Sequence, residues 1–155
     1  MLRKQEIAEK RTVLFVDDDE AILRSLERGL LDESYNKLFT KSSKEALEIL
    51  KREEVHVIVT DMCMPEMTGL ELLRIARTEY PNIIGIVLTG YELSTELQNA
   101  VDQGEIFKLI PKPLWKLGGR FERLLRRALV RSNLQSEHGR SEGRKLKQCK
   151  VKLTE

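Results

Sequence analysis

Residues 55–61 read Val-His-Val-Ile-Val-Thr-Asp. The apolar part is rich in β-branched residues and has no steady polar alternation. A strand of this kind is covered on both faces, as in a parallel sheet flanked by helices. It ends on Thr60 and Asp61, so a carboxylate stands where the strand runs out of apolar residues and its backbone is still fixed. Working outward, four more apolar runs occur: Val13–Val16, Leu38–Phe39, Ile83–Leu88 and Ile106–Ile110. Their starts lie ~15–30 residues apart, the reach of a βαβ unit.

Between the runs the apolar period becomes helical. Ile22, Leu23, Leu26 and Leu30 share one face, as do Ala46, Leu47 and Leu50, then Leu72, Leu73, Ala76 and Tyr80. Leu93, Leu97, Ala100 and Val101 form a weaker stripe; Leu117, Phe121, Leu124, Leu125 and Ala128 form the last. Ser42 with Glu45 reads as a capping box that starts a helix at Ser43, and Thr95 with Gln98 reads the same way. Pro81-Asn82 ends the third helix, and Gly118-Gly119 delays the fifth. The pattern is an α/β chain with a strand–helix unit five times over, (βα)5, which folds as a doubly wound parallel five-stranded sheet. We expect a charged lead over 1–11, one domain over 12–134, and a basic, flexible tail over 135–155.

Composition excludes several classes. No apolar run approaches the ~20 residues of a membrane span. Residues 1–11 are charged and unlike a secretory leader. Cys63 and Cys149 make neither a disulfide framework nor a zinc pattern. The expected setting is cytoplasmic, with no membrane partner. The net charge of +2 hides an asymmetry. Residues 1–116 carry 16 basic and 21 acidic groups, whereas residues 117–155 carry 11 and 4.

In an open parallel sheet, ligands sit outside the carboxyl ends of the strands. Those ends carry Asp17-Asp18-Asp19-Glu20, then Thr60-Asp61, then Thr89-Gly90, then Pro111-Lys112-Pro113. Clustered carboxylates repel unless protons or a cation neutralise them. Oxygen donors of this kind suit magnesium. A carboxylate beside such an ion can attack a phosphoryl group and form an acyl phosphate. The ion, Lys112 and the Thr89 hydroxyl would share the charge of the transferred group. Taken singly, an Asp at such a junction is most often a helix cap, and a lone lysine a solvated loop residue. The four together at successive strand ends point to a site.

These segments resemble the receiver domains of bacterial two-component response regulators. VLFVDDDE looks like the family's acidic motif, VIVTDMCMPEMTGLELL its phosphoacceptor segment, IVLTGY its Thr/Ser segment and LIPKPL its Lys-Pro segment. The likeness covers roughly residues 12 to 130 and is chemotaxis-regulator-like. In detail, LTGY and GEIFKLIPKPLW look closest to receivers that precede cyclic-di-GMP phosphodiesterase outputs. The resemblance implies the flavodoxin-like strand order 2-1-3-4-5. It implies that Asp61 accepts the phosphoryl group, and that Asp17, Asp18, Asp61 and the Cys63 backbone carbonyl hold Mg2+. By the same resemblance Thr89 and Lys112 bind the phosphoryl oxygens, and the Lys112-Pro113 bond is cis. Asp19 matches a variable acidic position and stays outside the metal set. The donor would be a sensor histidine kinase or a phosphotransfer protein. The readout would be a helix 4–strand 5–helix 5 face presented to a downstream protein, and homodimers through that region are common in similar proteins. Such a chain is not an enzyme in the ordinary sense, although it takes part in its own phosphorylation and dephosphorylation.

The chain departs from the pattern at Leu109, where an aromatic residue is usual. Phe107 is displaced by two and is expected on the same strand face. Thr68 stands in place of a common Asp or Asn before Gly69, with no chemical consequence expected. Met62, Met64 and Met67 read as loop packing, His56 as a packed residue in the third strand, and Trp115 as cover for the loop into the last helix. Two other functions fit some features. The basic stretch, from Arg120, Arg123, Arg126, Arg127 and Arg131 onward, could bind nucleic acid or an acidic partner without phosphorylation. A phosphatase of haloacid-dehalogenase type also uses a nucleophilic Asp, but needs a second carboxylate where this chain has Cys63.

Overall fold

A computed structural model of the chain describes residues 11–90 and 94–132. Residues 1–10 of the expected lead over 1–11, Leu93, the Trp115 side chain and the tail over 135–155 lie outside the described residues. Five strands, β1 (Thr12–Val16), β2 (Asn36–Thr40), β3 (Val57–Asp61), β4 (Ile84–Thr89) and β5 (Lys108–Pro111), form one sheet in the order β2-β1-β3-β4-β5. Every neighbouring pair is parallel. The helices are α1 (Glu20–Gly29), α2 (Ser43–Arg52), α3 (Gly69–Glu79), α4 (Thr95–Asp102) and α5 (120–132). A 3-10 turn, Leu114–Leu117, precedes α5, and Gly118 follows it at φ 55°, a region that favours glycine. The strand–helix order and the doubly wound sheet agree with the sequence reading.

Strand alternation sorts the core into two layers. Val13, Phe15, Val57, Val59, Ile86 and Leu88 face α1 and α5, meeting Leu23, Leu26, Phe121 and Leu125. Leu14, Val16, Ile58 and Val87 face α2, α3 and α4, meeting Ala46, Ile49, Leu73 and Leu97. Burying each such side chain contributes ~1.5–3 kcal/mol before the entropy of ordering is subtracted. Gly85 lets α3 lie close to β4, because a Cβ there would stand 2.6 Å from Leu73 Cδ1. The Met62, Met64 and Met67 side chains pack on the α2–α3–α4 layer, as expected.

Helix ends follow local side-chain chemistry. Ser42 accepts from the Glu45 N–H, 3.2 Å, and α2 starts at Ser43 as read. The cap of α4 is Ser94, not Thr95: its hydroxyl accepts from the Leu97 N–H at 3.1 Å. Either hydroxyl suits an N-cap, and the extended backbone at Ser94 decides the matter. Thr68 has a role the sequence reading did not give it. It caps α3 in a full capping box with Glu71. Helix α4, only eight residues long, is tied to α3 by Arg74, which bonds Glu96 at 3.1 Å and Glu105 at 2.8 Å.

Phe107 and Leu109 do not share a face. Phe107 packs on the α1–α5 layer and Leu109 on the other. Strand β5 begins only at Lys108, so the alternation breaks before it. The Arg131 guanidinium lies 5.8 Å from the centre of the Phe107 ring. Pro111, lacking an N–H, sits in β5 at the sheet edge.

His56 stands just before β3 rather than inside it, and is buried. Its backbone N–H donates to Thr12 O and its Nδ1 accepts from the Thr12 N–H, both at 3.0 Å. Burial, and then the Arg11 charge, hold its pKa below the usual value against the opposing pull of Glu54. A histidine with a depressed folded pKa keeps its stabilising effect above the unfolded value of about 6.5 and loses it as pH falls through that value toward the folded one. Chemical denaturation of the protein should therefore show falling stability from pH 7.5 to 5. A His56→Gln variant, which cannot titrate there, should show a shallower fall.

Candidate functional site

The strand ends that carry chemistry are neighbours in space. Asp17 and Asp18 follow β1, Asp61 ends β3, Thr89 ends β4 and Lys112 follows β5. These four strands are adjacent in the sheet. In register, Asp61 lies opposite Leu88 and Thr89 opposite Pro111, so Thr89 is one step beyond the partner of Asp61. The Lys112 N–H donates to Thr89 O at 2.9 Å, which holds the loop after β5 against the end of β4. The Lys112–Pro113 peptide is cis, as the resemblance implied.

Asp17 and Asp61 are buried and Asp18 is exposed. Each offers one carboxylate oxygen, and the three oxygens lie within 4.8 Å of one another. The Lys112 ammonium stands 2.9 Å from Asp61 Oδ1 and 3.3 Å from Asp17 Oδ2. Asp19 stays out of this group. Its carboxylate caps α1 by accepting from the Ala21 N–H at 3.0 Å, and its own N–H donates to Asp17 Oδ1 at 2.9 Å. Cys63 follows Asp61 by two residues and is exposed. The donor set fits a magnesium ion: hard oxygens, converging, with one face open through Asp18.

The electrostatics match that crowding. Burial pushes the Asp17 carboxyl above the ordinary carboxylate range and the neighbouring Asp61 adds to the shift, although the Asp19 N–H and Lys112 pull it back. Burial alone would lower the Lys112 ammonium. Its hydrogen bond to Asp61 and the charges of Asp17 and Asp61 outweigh that, and its pKa is raised. The ammonium is therefore charged throughout the neutral range.

The model of the response regulator receiver domain matches residues 13–117, which contain every one of these groups. The chain belongs to the response regulator receiver domain family. It is 36% identical over 107 residues to the hydrogenase transcriptional regulatory protein HoxA of Cupriavidus necator, covering 69% of this chain and 22% of that protein. It is 35% identical over 117 residues to the response regulator MprA of Mycobacterium leprae, covering 74% of this chain and 51% of that one. The chain thus spans only about a fifth to a half of the length of these curated relatives. A CheY-like response regulator receiver domain protein from Methanospirillum hungatei superposes with a TM-score of 0.69 at 29% identity, covering 83% of this chain and 98% of that one. Receiver domains are phosphoacceptors rather than classical enzymes, and they take their phosphoryl groups from histidine kinases.

Some features of this receiver site were not read from the sequence. Thr60 is fully buried and its hydroxyl donates to the Asp61 carbonyl at 3.0 Å. The only signal was a polar residue inside an apolar run. Arg126, read as part of a solvated basic stripe, makes a bidentate pair with Glu33 at 3.2 and 2.6 Å. Among the described residues, no helix is long and apolar enough to cross a membrane.

The raised pKa of Asp17 has a thermodynamic sign. A proton binds more tightly to the folded protein, so ionised Asp17 costs stability above its folded pKa, and that cost fades as pH falls toward the unfolded value. Asp17→Asn should therefore raise stability at pH 7 without divalent ions. The gap should close on acidification. Denaturant titrations of both proteins in chelator, between pH 7 and pH 4, measure this.

Proposed function

We propose that this chain is a phosphoacceptor switch of a two-component phosphorelay. The observation that carries this reading is the convergence of three carboxylate oxygens within 4.8 Å, with an ammonium 2.9 Å from Asp61, inside the receiver segment. Asp61 is the nucleophile. One of its carboxylate oxygens forms a bond to phosphorus as the P–N bond of a phosphohistidine donor breaks, and the electron pair leaves with the imidazole. Lys112 neutralises one phosphoryl oxygen, and the Thr89 hydroxyl donates to another. Asp17, Asp18, Asp61 and the Cys63 carbonyl are the groups that would hold Mg2+, which when bound supplies further charge neutralisation at the phosphoryl oxygens.

The acyl phosphate, with about −1.5 to −2 in place of the single charge of the Asp61 carboxylate, would draw Thr89 and the loop after it, shifting α4 against β5 and α5. That movement has to loosen the Arg74 contacts to Glu96 and Glu105. A downstream protein reads the altered face. The donor is a sensor histidine kinase or a phosphotransfer protein, and the setting is the cytoplasm. Leu109 in this site packs in the α4 layer without an aromatic ring, so the readout rests on Thr89 and α4 themselves.

Incubation with Mg2+ and acetyl phosphate should give a phosphoprotein, detected by intact mass and lost on hydroxylamine treatment. Asp61→Asn should give none, and chelation should suppress the reaction in the wild type. Equal labelling of Asp61→Asn, or no labelling of the wild type, sinks the proposal.

A further inference from the structure

The Asp61 peptide sits where the sheet's own hydrogen bonding changes hands. Strand β1 pairs with β3 only as far as Val16 opposite Thr60. The residue after β1, Asp17, donates its N–H to Thr40 O of β2 on the other side, at 3.1 Å. Pairing with β4 continues one residue further, to Asp61 opposite Leu88. The Asp61 carbonyl therefore extends past the end of its β1 neighbour. The Thr60 hydroxyl donates to it at 3.0 Å, and Met64 Sδ lies 3.9 Å from the same hydroxyl.

The opposite side of this carbonyl is closed by α3. A Cβ on Gly69 would stand 2.4 Å from Asp61 O and 3.0 Å from Thr60 Cγ2. Glycine alone lets the helix start this close. The loop between is pinned at both ends: Met62 N–H donates to Leu88 O, and Gly69 N–H donates to Met62 O, each at 2.9 Å. Thr60 is thus wedged beneath the loop that carries Cys63, with its hydroxyl on the peptide that links Asp61 to that loop. The side chain is fully buried, and water cannot replace its bond.

The geometry points to Thr60 as a positioning residue for the cation site. By fixing the Asp61–Met62 peptide plane, its hydroxyl sets the Cys63 carbonyl relative to the Asp61 carboxylate. This rests on the phosphoacceptor reading above and deepens it, since it adds to the site a residue that would touch neither the ion nor the phosphoryl group. Removing the hydroxyl while keeping the shape leaves a buried carbonyl short of a donor, and the loop can then relax away from its place. Partners that orient metal ligands typically matter about tenfold or more in affinity.

The test is isothermal titration calorimetry of Mg2+ into the full chain as wild type, Thr60→Val and Thr60→Ser. Thr60→Val should weaken Mg2+ binding about tenfold, and Thr60→Ser, which keeps the donor, should stay near wild type. Phosphorylation by acetyl phosphate should then need more Mg2+ for half-maximal rate in Thr60→Val, with the rate at saturating Mg2+ much less affected. A hydroxyl with a structural role alone would lower the denaturation midpoint of Thr60→Val and leave its Mg2+ affinity unchanged; that result overturns the inference. Equal weakening in Thr60→Ser also overturns it. Should Thr60→Val fail to fold, the smaller Thr60→Ala carries the same expectation. Wild type that binds no Mg2+ defeats the phosphoacceptor reading itself, whereas wild type that binds it beside an unaltered Thr60→Val defeats this inference only.

Discussion

The contact of the half-buried Lys112 with the buried Asp61 and Asp17 is what the rest of the site depends on. Two carboxylates that are nearly out of solvent cannot stand together without a compensating charge. The ammonium, 2.9 Å from one and 3.3 Å from the other, supplies it. Because the three residues come from three strands, the contact holds only if β1, β3 and β5 keep their places in the sheet. The Lys112 N–H bond to Thr89 O adds β4 to the same set. Packing and charge are therefore coupled: the aliphatic layers fix the strands, and the strands fix where the charges meet.

That coupling also explains why the acidic residues differ among themselves. Asp17 is buried and faces Lys112; Asp18, next in the chain, is exposed; Asp19 has turned away to cap α1. Three consecutive aspartates thus serve three purposes, because the chain passes from strand to helix within them. A strand end points successive side chains in opposite directions, and a helix start claims one carboxylate for its free N–H groups. The residue whose carboxylate caps α1 also holds Asp17, since the Asp19 backbone N–H donates to the Asp17 carboxylate.

The strands were legible because burial on both faces leaves a plain mark: Val57, Ile58 and Val59 admit no polar alternation. The residues at the strand ends were legible for the same reason, as chemistry-bearing residues stand out against apolar runs. What was not legible depended on tertiary partners. Ser94 and Thr95 are both acceptable caps, and backbone conformation chose between them. Phe107 was assigned to the face of Leu109 by counting twos, but β5 starts after it. Arg74 meets Glu105 across 31 residues of sequence, and Arg126 meets Glu33 across 93. Neither pairing has a local period to betray it. Thr60 was visible as a residue type, while its role rests on where β1 stops beside β3.

Formal charge shows why a cation and a phosphoryl group would belong to one state of this site. Asp17, Asp18 and Asp61 bring three negative charges against the single positive charge of Lys112. A phosphoryl group on Asp61 replaces one of those charges with about two. Without a cation the pocket would then carry about three uncompensated negative charges in a low-dielectric setting, where repulsion is least screened. A divalent ion removes most of that excess. The acyl phosphate, in turn, offers the ion more oxygen charge than the carboxylate it replaces. Each should therefore strengthen the binding of the other, and by linkage the coupling is the same in both directions. Whatever fixes the ion's ligands, including a hydroxyl that touches only a backbone carbonyl, then bears on the phosphorylated state as well. On the proposed reading, the switch and the metal site would be one electrostatic unit, framed by the sheet edge that assembles Lys112 with the aspartates.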